Sequence, residues 1–173
     1  MKHLEIEMKT LLSEEEYNRL LAQFSEVTPV TQKNYYLDTP GFYLRQHKIA
    51  MRIRTFDTSA ELTIKIPQEV GNMEYNQDLT LEEAKYCLEN CKLPQGMILE
   101  ELTSRGLSTS GWVVLGCLTT VRYEKETAIG LMALDQSRYF DIVDYELELE
   151  ANEIHYKKAP SKLVRFIENM KKY

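Results

Sequence analysis

Cysteine and long apolar runs are scarce in this sequence, and each shortage excludes a class of protein. The chain has three cysteines, an odd number, in 173 residues, which argues against the disulfide framework of small secreted domains. Cys87 and Cys91 lie one helical turn apart and Cys117 lies in an apolar segment, so reduced thiols are favoured over a disulfide or a zinc site. No apolar run approaches the ~18 residues of a membrane span, and the first residues lack a secretion signal. We therefore expect a cytoplasmic protein with no membrane partner.

Two motifs of common enzyme sites and an excess of positive charge are also lacking. His3, His47 and His155 are dispersed, which argues against a helical metal-binding pair or a catalytic triad. No glycine-rich loop of the kind that binds phosphate at the start of a helix is present. The net charge is -6, from 21 Lys and Arg against 27 Asp and Glu. A general affinity for nucleic acid is therefore not expected, although a local basic cavity for a small anion is compatible with this charge.

Several short segments do show charged residues alternating with apolar ones. In a strand, successive side chains point to opposite faces, so each such segment would have one charged face and one apolar face. Two segments are acidic and three are basic. The acidic segments are Glu5-Ile6-Glu7-Met8-Lys9 and Glu146-Leu147-Glu148-Leu149-Glu150, and the basic ones are Arg52-Ile53-Arg54, Thr63-Ile64-Lys65 and Val121-Arg122-Tyr123.

The acidic and basic residues lie on separate segments, and this separation of charge indicates a ligand-binding site. A sheet with one face in water would show the same alternation, so alternation alone does not decide between a site and a solvated surface. Carboxylates two residues apart on a strand can share a hard divalent cation, while Arg and Lys bind phosphate oxygens. The arrangement therefore favours a site that holds a metal between acidic residues and an anion among basic ones.

Hydrophobic periodicity and turn residues predict about eight strands and about four helices. The strands are expected near residues 5–9, 32–38, 48–56, 61–66, 73–79, 112–124, 128–135 and 139–150, and the helices near 13–24, 80–91, 97–105 and 161–172. Because the helices are amphipathic, they should cover the apolar strand faces, which leaves the charged faces to line an interior. We predict a single α+β domain over residues 1–173, built as a closed or nearly closed antiparallel barrel of about eight strands, a tunnel with a charged lumen.

The ordered set of charged residues resembles the CYTH domain proteins, also called triphosphate tunnel metalloenzymes, which include class four adenylate cyclases and thiamine triphosphatases. The resemblance spans nearly the whole chain. It rests on Glu5-x-Glu7-x-Lys9, Arg52-x-Arg54, Thr63-x-Lys65, Arg122, Leu134-Asp135 and Glu146-x-Glu148. Many members carry a further basic residue two positions before the equivalent of Arg122, where this chain has Thr120.

The resemblance implies a tunnel that binds the triphosphate group of a small substrate together with Mg²⁺ or Mn²⁺. The phosphate-binding residues that it implies are Lys9, Arg52, Arg54, Lys65 and Arg122, and the metal-binding residues are Glu5, Glu7, Asp135, Glu146 and Glu148. Glu5, Glu7 and Lys9 would act in the chemical step, with Glu5 or Glu7 as the base.

Three functions are compatible with these expectations. The leading hypothesis is metal-dependent hydrolysis of inorganic triphosphate, thiamine triphosphate or a nucleoside triphosphate. An adenylate cyclase would need a purine pocket, which no segment identifies. A non-catalytic module would bind polyphosphate or a nucleotide and use the carboxylates only as counter-charges. The expected oligomeric state is a monomer or a homodimer.

Overall fold

The computed structural model describes residues 1–151 together with residues 165, 168 and 169. Its strands are β1 Lys2–Leu12, β2 Val30–Asp38, β3 Ala50–Thr55, β4 Ala60–Pro67, β5 Asn72–Leu79, β6 Val113–Thr127, β7 Gly130–Tyr139 and β8 Ile142–Ala151. They are hydrogen-bonded in the order β1-β5-β4-β3-β2-β6-β7-β8, which closes into a barrel. The predicted α+β fold with an antiparallel eight-stranded barrel is confirmed.

The helices in the described part of the chain are α1 Glu14–Leu21, α2 Tyr43–Gln46, α3 Leu81–Asn90 and α4 Met97–Ser104, and a short 3-10 helix, Ala22–Phe24, follows α1. Helix α1 begins with a capping box. The Ser13 hydroxyl accepts from the Glu16 amide at 3.1 Å, and the Glu16 carboxylate accepts from the Ser13 amide at 3.0 Å. Across residues 1–151 and the three further described positions, no helix has the length and apolarity needed to cross a membrane. Of the helix predicted over 161–172, the structure describes residues 165, 168 and 169, which are helical, and the other positions lie outside the described residues.

Helix α2 is a single turn that the sequence pattern does not predict, because four residues are too few to show a helical period. The buried carboxylate of Asp38 holds its start. Its Oδ1 accepts from the amides of Thr39 and Leu44 at 2.8 and 2.9 Å, and its Oδ2 accepts from the amide of Arg45 at 3.1 Å. Asp38 therefore acts as a local structural residue at the end of β2.

The chain forms two compact units, and the first comprises Met1–Leu4 and Gln32–Leu118. Strands β2 to β5 form an antiparallel meander in this unit. Its hydrophobic core joins one face of these strands to helices α3 and α4, and Ile53, Leu62 and Ile98 are fully buried there. The opposite strand face carries the polar side chains, because period two separates them from the core positions.

The second unit comprises Glu5–Thr31 and Thr119–Tyr173. It contains α1, β7 and β8 with most of β1 and β6, and β8 pairs with β1 on one side and β7 on the other. Its core joins α1 to one face of β7 and β8, where Leu20, Leu134 and Leu147 are fully buried. Strand alternation again leaves the charged side chains on the opposite face.

Close approach of β8 to the start of β7 requires a glycine. Gly130 has a φ of 149° and pairs with Ala151. A Cβ atom at this position would lie 2.1 Å from the carbonyl oxygen of Glu150. Any side chain at this position therefore needs the backbone of one strand to move.

We expect Gly130→Ala to lower the free energy of unfolding by about 2–4 kcal/mol, since it adds both a backbone clash and an unfavourable φ. Gly41→Ala is the matched control, because a Cβ there meets nothing within 4 Å, and its effect should stay within about 0.5 kcal/mol. Denaturant unfolding of both variants measures the difference. Equal stability of the two variants would contradict the proposed clash.

Candidate metal and phosphate site

Strand alternation in the second unit places its carboxylates on one face. Leu147 and Leu149 of β8 are fully buried in the hydrophobic core, so Glu148 between them projects from the opposite face. In β1 the same alternation puts Glu5 and Glu7 on the charged face. Register brings the two strands together, because Lys9 of β1 lies opposite Glu148.

Three of these carboxylates form a cluster, which we call the carboxylate cluster: Glu5, Glu7 and Glu148. One oxygen atom of each lies within 4.8 Å of the corresponding oxygen atoms of the other two. The exposed fraction is 3% for Glu5 and, for the side chains of Glu7 and Glu148, 14% and 12%. Carboxylates this close and this buried repel one another unless a proton or a cation lies among them. An all-oxygen set fits a hard divalent cation such as Mg²⁺ or Mn²⁺.

The electrostatics of Glu148 reflect this crowding. Burial raises the pKa of Glu148 to about 7, and its hydrogen bond with Glu7 acts in the same direction. The positive charges of Arg122 and Lys9 act in the opposite direction but do not cancel the effect of burial. In the absence of metal, Glu148 is therefore about half protonated at neutral pH, with Glu7 as its hydrogen-bond partner.

Lys9 supplies a fixed positive charge beside the carboxylate cluster. Its Nζ lies 3.2 Å from Glu7 Oε1. Burial alone would lower the pKa of Lys9, but Glu7, Glu148 and Glu146 together raise it above its ordinary value. Lys9 therefore stays protonated at neutral pH.

Arg122 of β6 joins two carboxylates on the same face. Its Nε and Nη2 donate to the two oxygens of Asp135 at 2.8 and 2.7 Å, and Nη2 also donates to Glu148 at 3.2 Å. Burial would lower the pKa of Arg122, but its hydrogen bonds and the charge of Asp135 raise it well above its ordinary value. Asp135 thus directs both of its oxygens to Arg122. In the described residues the carboxylate cluster does not include Asp135 or Glu146, and Glu146 lies opposite Asp135 in the register of β7 and β8.

In the first unit, Arg54 and Lys65 lie on the polar face of β3 and β4 with partners on neighbouring strands. Arg54 Nε donates to Asn34 Oδ1 at 2.6 Å, and its Nη1 lies 3.8 Å from Glu61. Lys65 Nζ lies 3.7 Å from Glu74. Each ion pair joins residues that are directly opposite in register.

Arg52 differs from these two cations. It lies between them in the polar row of β3 and β4, opposite Thr63, whose hydroxyl donates to Asn76 at 2.6 Å. The Nε of Arg52 is buried, and within residues 1–151 and the three further described positions no hydrogen-bond acceptor lies against it. A buried guanidinium nitrogen without an acceptor is unfavourable. This geometry favours an anionic ligand at Arg52.

The sequence did not assign roles to two features of these faces. Asn34 is almost fully buried and orients Arg54 from directly across the sheet. Thr120 and Ser137 form a buried pair with their hydroxyl oxygens 2.8 Å apart. Alternation placed Asn34 on a polar face, but its contact depends on the register between β2 and β3, which no local pattern shows.

The fold and these charged faces define a class of protein. It is an antiparallel barrel whose strands carry the carboxylate cluster in the second unit and a row of cations in the first unit. The sequence matches the CYTH domain over residues 3–171. The chain therefore belongs to the CYTH domain family, as its sequence pattern predicted.

Relatives and solved structures agree with this assignment. The chain is 33% identical to the "Putative triphosphatase YjbK" of Bacillus subtilis (strain 168), over 99% of this chain and 98% of that protein. It is similar to the crystal structure of a "putative adenylate cyclase" from Bacillus halodurans, with 34% identity, a TM-score of 0.85 and coverage of 95% and 90% of the two chains. A Hippeastrum protein described as a "putative adenylyl cyclase" with a dominant triphosphatase activity shares the fold, with 22% identity, a TM-score of 0.75 and coverage of 96% and 88%.

The free energy of unfolding of the metal-free protein should fall as the pH rises from about 4.5 to 7. In this range folded Glu148, with a pKa of about 7, binds a proton that an unfolded Glu, with a pKa of ~4.3, has lost. The contribution is at most about 3 kcal/mol. Denaturant unfolding with chelator present, repeated across this pH range for wild type and Glu148→Gln, measures this contribution as the difference between the free energies of unfolding of the two proteins. Parallel pH profiles for the two proteins would contradict the raised pKa.

Proposed function

We propose that this chain hydrolyses a small triphosphate with a divalent cation, Mg²⁺ or Mn²⁺. The observation that carries the proposal is the carboxylate cluster, because three carboxylates, one buried and two partly buried, with oxygen atoms within 4.8 Å of one another repel one another without a cation among them. CYTH proteins are in general metal-dependent. The name of the Bacillus subtilis relative, which matches along nearly its whole length, also supports a triphosphatase.

The carboxylates would hold the cation. Glu5, Glu7 and Glu148 supply the closest oxygens, and Asp135 and Glu146 are the further ligands that we propose from the family pattern. When bound, the cation neutralises charge that develops on the phosphoryl oxygens during transfer. The carboxylates themselves would contribute by supplying the oxygen ligands that hold it.

The cations would bind the triphosphate oxygens. Arg52 has a buried Nε without an acceptor among the described residues, and its planar guanidinium can grip two oxygens at once. Arg54 and Lys65 add charge along the same polar face. Lys9 contributes a protonated amine, and Arg122 retains Nη1 as a donor that its contacts with Asp135 and Glu148 do not use.

Hydrolysis also needs a group that takes a proton from the attacking water. We propose Glu5 or Glu7 for this role. Lys9 lies 3.2 Å from Glu7, so its positive charge would hold the Glu7 carboxylate in place as well as bind phosphate.

Adenylate cyclase is a second candidate, because the similar Bacillus halodurans structure carries that name. Phosphate release from inorganic triphosphate, thiamine triphosphate and ATP, each with Mg²⁺, Mn²⁺ or chelator, separates the functions when cyclic AMP is measured in the ATP samples. Metal-dependent phosphate release supports the triphosphatase. Cyclic AMP as the main product would contradict the triphosphatase proposal and support an adenylate cyclase. Binding of these compounds without turnover would support a non-catalytic binding module instead.

Glu7→Gln should reduce metal-dependent phosphate release by at least about 100-fold, since it removes a metal ligand and the proposed base. Glu89→Gln is the matched control, because Glu89 is exposed on helix α3, and it should retain wild-type turnover. Initial rates at saturating substrate and metal measure both. Full turnover in Glu7→Gln would show that the carboxylate cluster has no catalytic role.

Arg52→Gln should weaken inorganic triphosphate binding by about 10- to 100-fold, because a bidentate, charge-assisted contact is lost. Arg19→Gln, an exposed substitution on α1 in an ion pair with Glu15, is the control and should change the affinity by less than about twofold. Calorimetric titration of each variant with inorganic triphosphate gives the dissociation constants. Equal affinity of the two variants for inorganic triphosphate would show that Arg52 does not bind its phosphate oxygens.

A further inference from the structure

The first part of β6 extends beyond the strand that pairs with it on one side. The register between β6 and β7 reaches back to Thr119, which lies opposite Arg138. The next pair along would be Leu118 and Tyr139, the residue at which β7 ends. Val113–Cys117 therefore lie past the end of β7, and we call these five residues the open edge. The sheet order places β2 on the other side of β6, so in the part of the chain that the structure describes, the β7 side of the open edge has no strand partner.

The open edge is apolar and exposed on both of its faces. Val113, Val114 and Leu115 are 36%, 37% and 45% exposed, and Gly116 and Cys117 are exposed as well. Successive residues of a strand point to opposite faces, so neither face of the open edge packs into a hydrophobic core. Burial within this chain therefore does not account for its apolar side chains, whereas contact with another molecule would.

The sequence of the open edge also lacks the features that prevent strand pairing between molecules. Exposed edge strands usually carry charged residues or proline for this purpose. No charged residue and no proline occurs between Arg105 and Arg122. The whole chain has a net charge of -6, so two copies repel each other least where they meet through uncharged surfaces. The open edge is such a surface, which favours a second copy of this chain as its partner.

We propose that the open edge pairs antiparallel with the open edge of a second copy, so that the protein is a homodimer. Antiparallel strands alternate two kinds of residue pair, and a two-fold axis must therefore pass between two copies of the same residue. An axis at Leu115 is the one that pairs all five residues, and it places Val113 opposite Cys117 of the second copy. Each strand then satisfies the backbone groups of the other, and the apolar side chains pack across the pair. This dimer does not depend on the proposed function.

The first test measures molar mass by light scattering after size exclusion. A strand pair of this length is a small interface, so wild type is loaded at about 100 μM, where we expect a dimer. Leu115→Lys should be a monomer, because the two-fold axis brings two lysines directly opposite each other. Tyr86→Lys, which adds the same charge at an exposed apolar residue of α3, is the matched control and should remain a dimer. Thermal unfolding of both Lys variants checks that they are folded.

The second test uses a disulfide to measure the register. Val113→Cys places a thiol opposite Cys117 of the second copy, with Cβ atoms about 4.5–5.5 Å apart, near the separation that a disulfide spans. Oxidation with diamide should therefore convert Val113→Cys into a covalent dimer that reductant reverses. Wild type is the matched control, because it exposes Cys117 while an axis at Leu115 keeps the two copies of Cys117 apart. Adding Cys117→Ser to Val113→Cys should abolish the cross-link.

Three results would overturn the proposed dimer. The first is a wild-type protein that is monomeric at the concentration tested. The second is a dimer that persists in Leu115→Lys, because its contact would then lie elsewhere on the surface. The third is a Val113→Cys variant that cross-links no faster than wild type, because the two open edges would then not pair about Leu115.

Discussion

The balance of charge around three closely spaced carboxylates is the constraint on which the rest of the second unit depends. Glu5, Glu7 and Glu148 approach one another closely. Lys9 lies against Glu7, and Arg122 joins Glu148 to Asp135. These positive charges offset part of the repulsion among the carboxylates, but burial still raises the pKa of Glu148 to about 7.

The same strands hold the hydrophobic core and the charged face, so that core packing fixes the positions of the ligands. Leu147 and Leu149 lie fully buried on either side of Glu148. A slip of one residue in β8 would bury Glu148 in the core and expose both leucines. The core of the second unit thus specifies the register that brings Glu148 to Glu7.

How far the sequence predicts this molecule depends on the range of each interaction. Alternation in Glu5–Lys9 and around Glu148 is local, so the charged strand faces follow from period two alone. Which carboxylates meet is set by register between strands remote in sequence, and the engagement of Asp135 by Arg122 has no local signal. The eight strands and the capping box at Ser13 were predictable, whereas the four-residue helix α2 was too short to show a period. The charged residues from Glu5 to Glu148 pointed to the family because they occur together and in the expected order along the chain.

The pairing of β1 with β8 has a consequence for how the protein folds. Glu7 and Glu148 come from strands at opposite ends of the described chain, so their approach closes a loop on the order of 140 residues, with the entropic cost that such closure carries. Contacts of this range form late and slow folding relative to local ones. During synthesis, β1 can pair with β5 on one side, but its other edge waits for β8 until nearly all of residues 1–151 have been made. Its unpaired edge is exposed in the meantime, and the alternating charges of Glu5, Glu7 and Lys9 protect that edge against pairing with other chains.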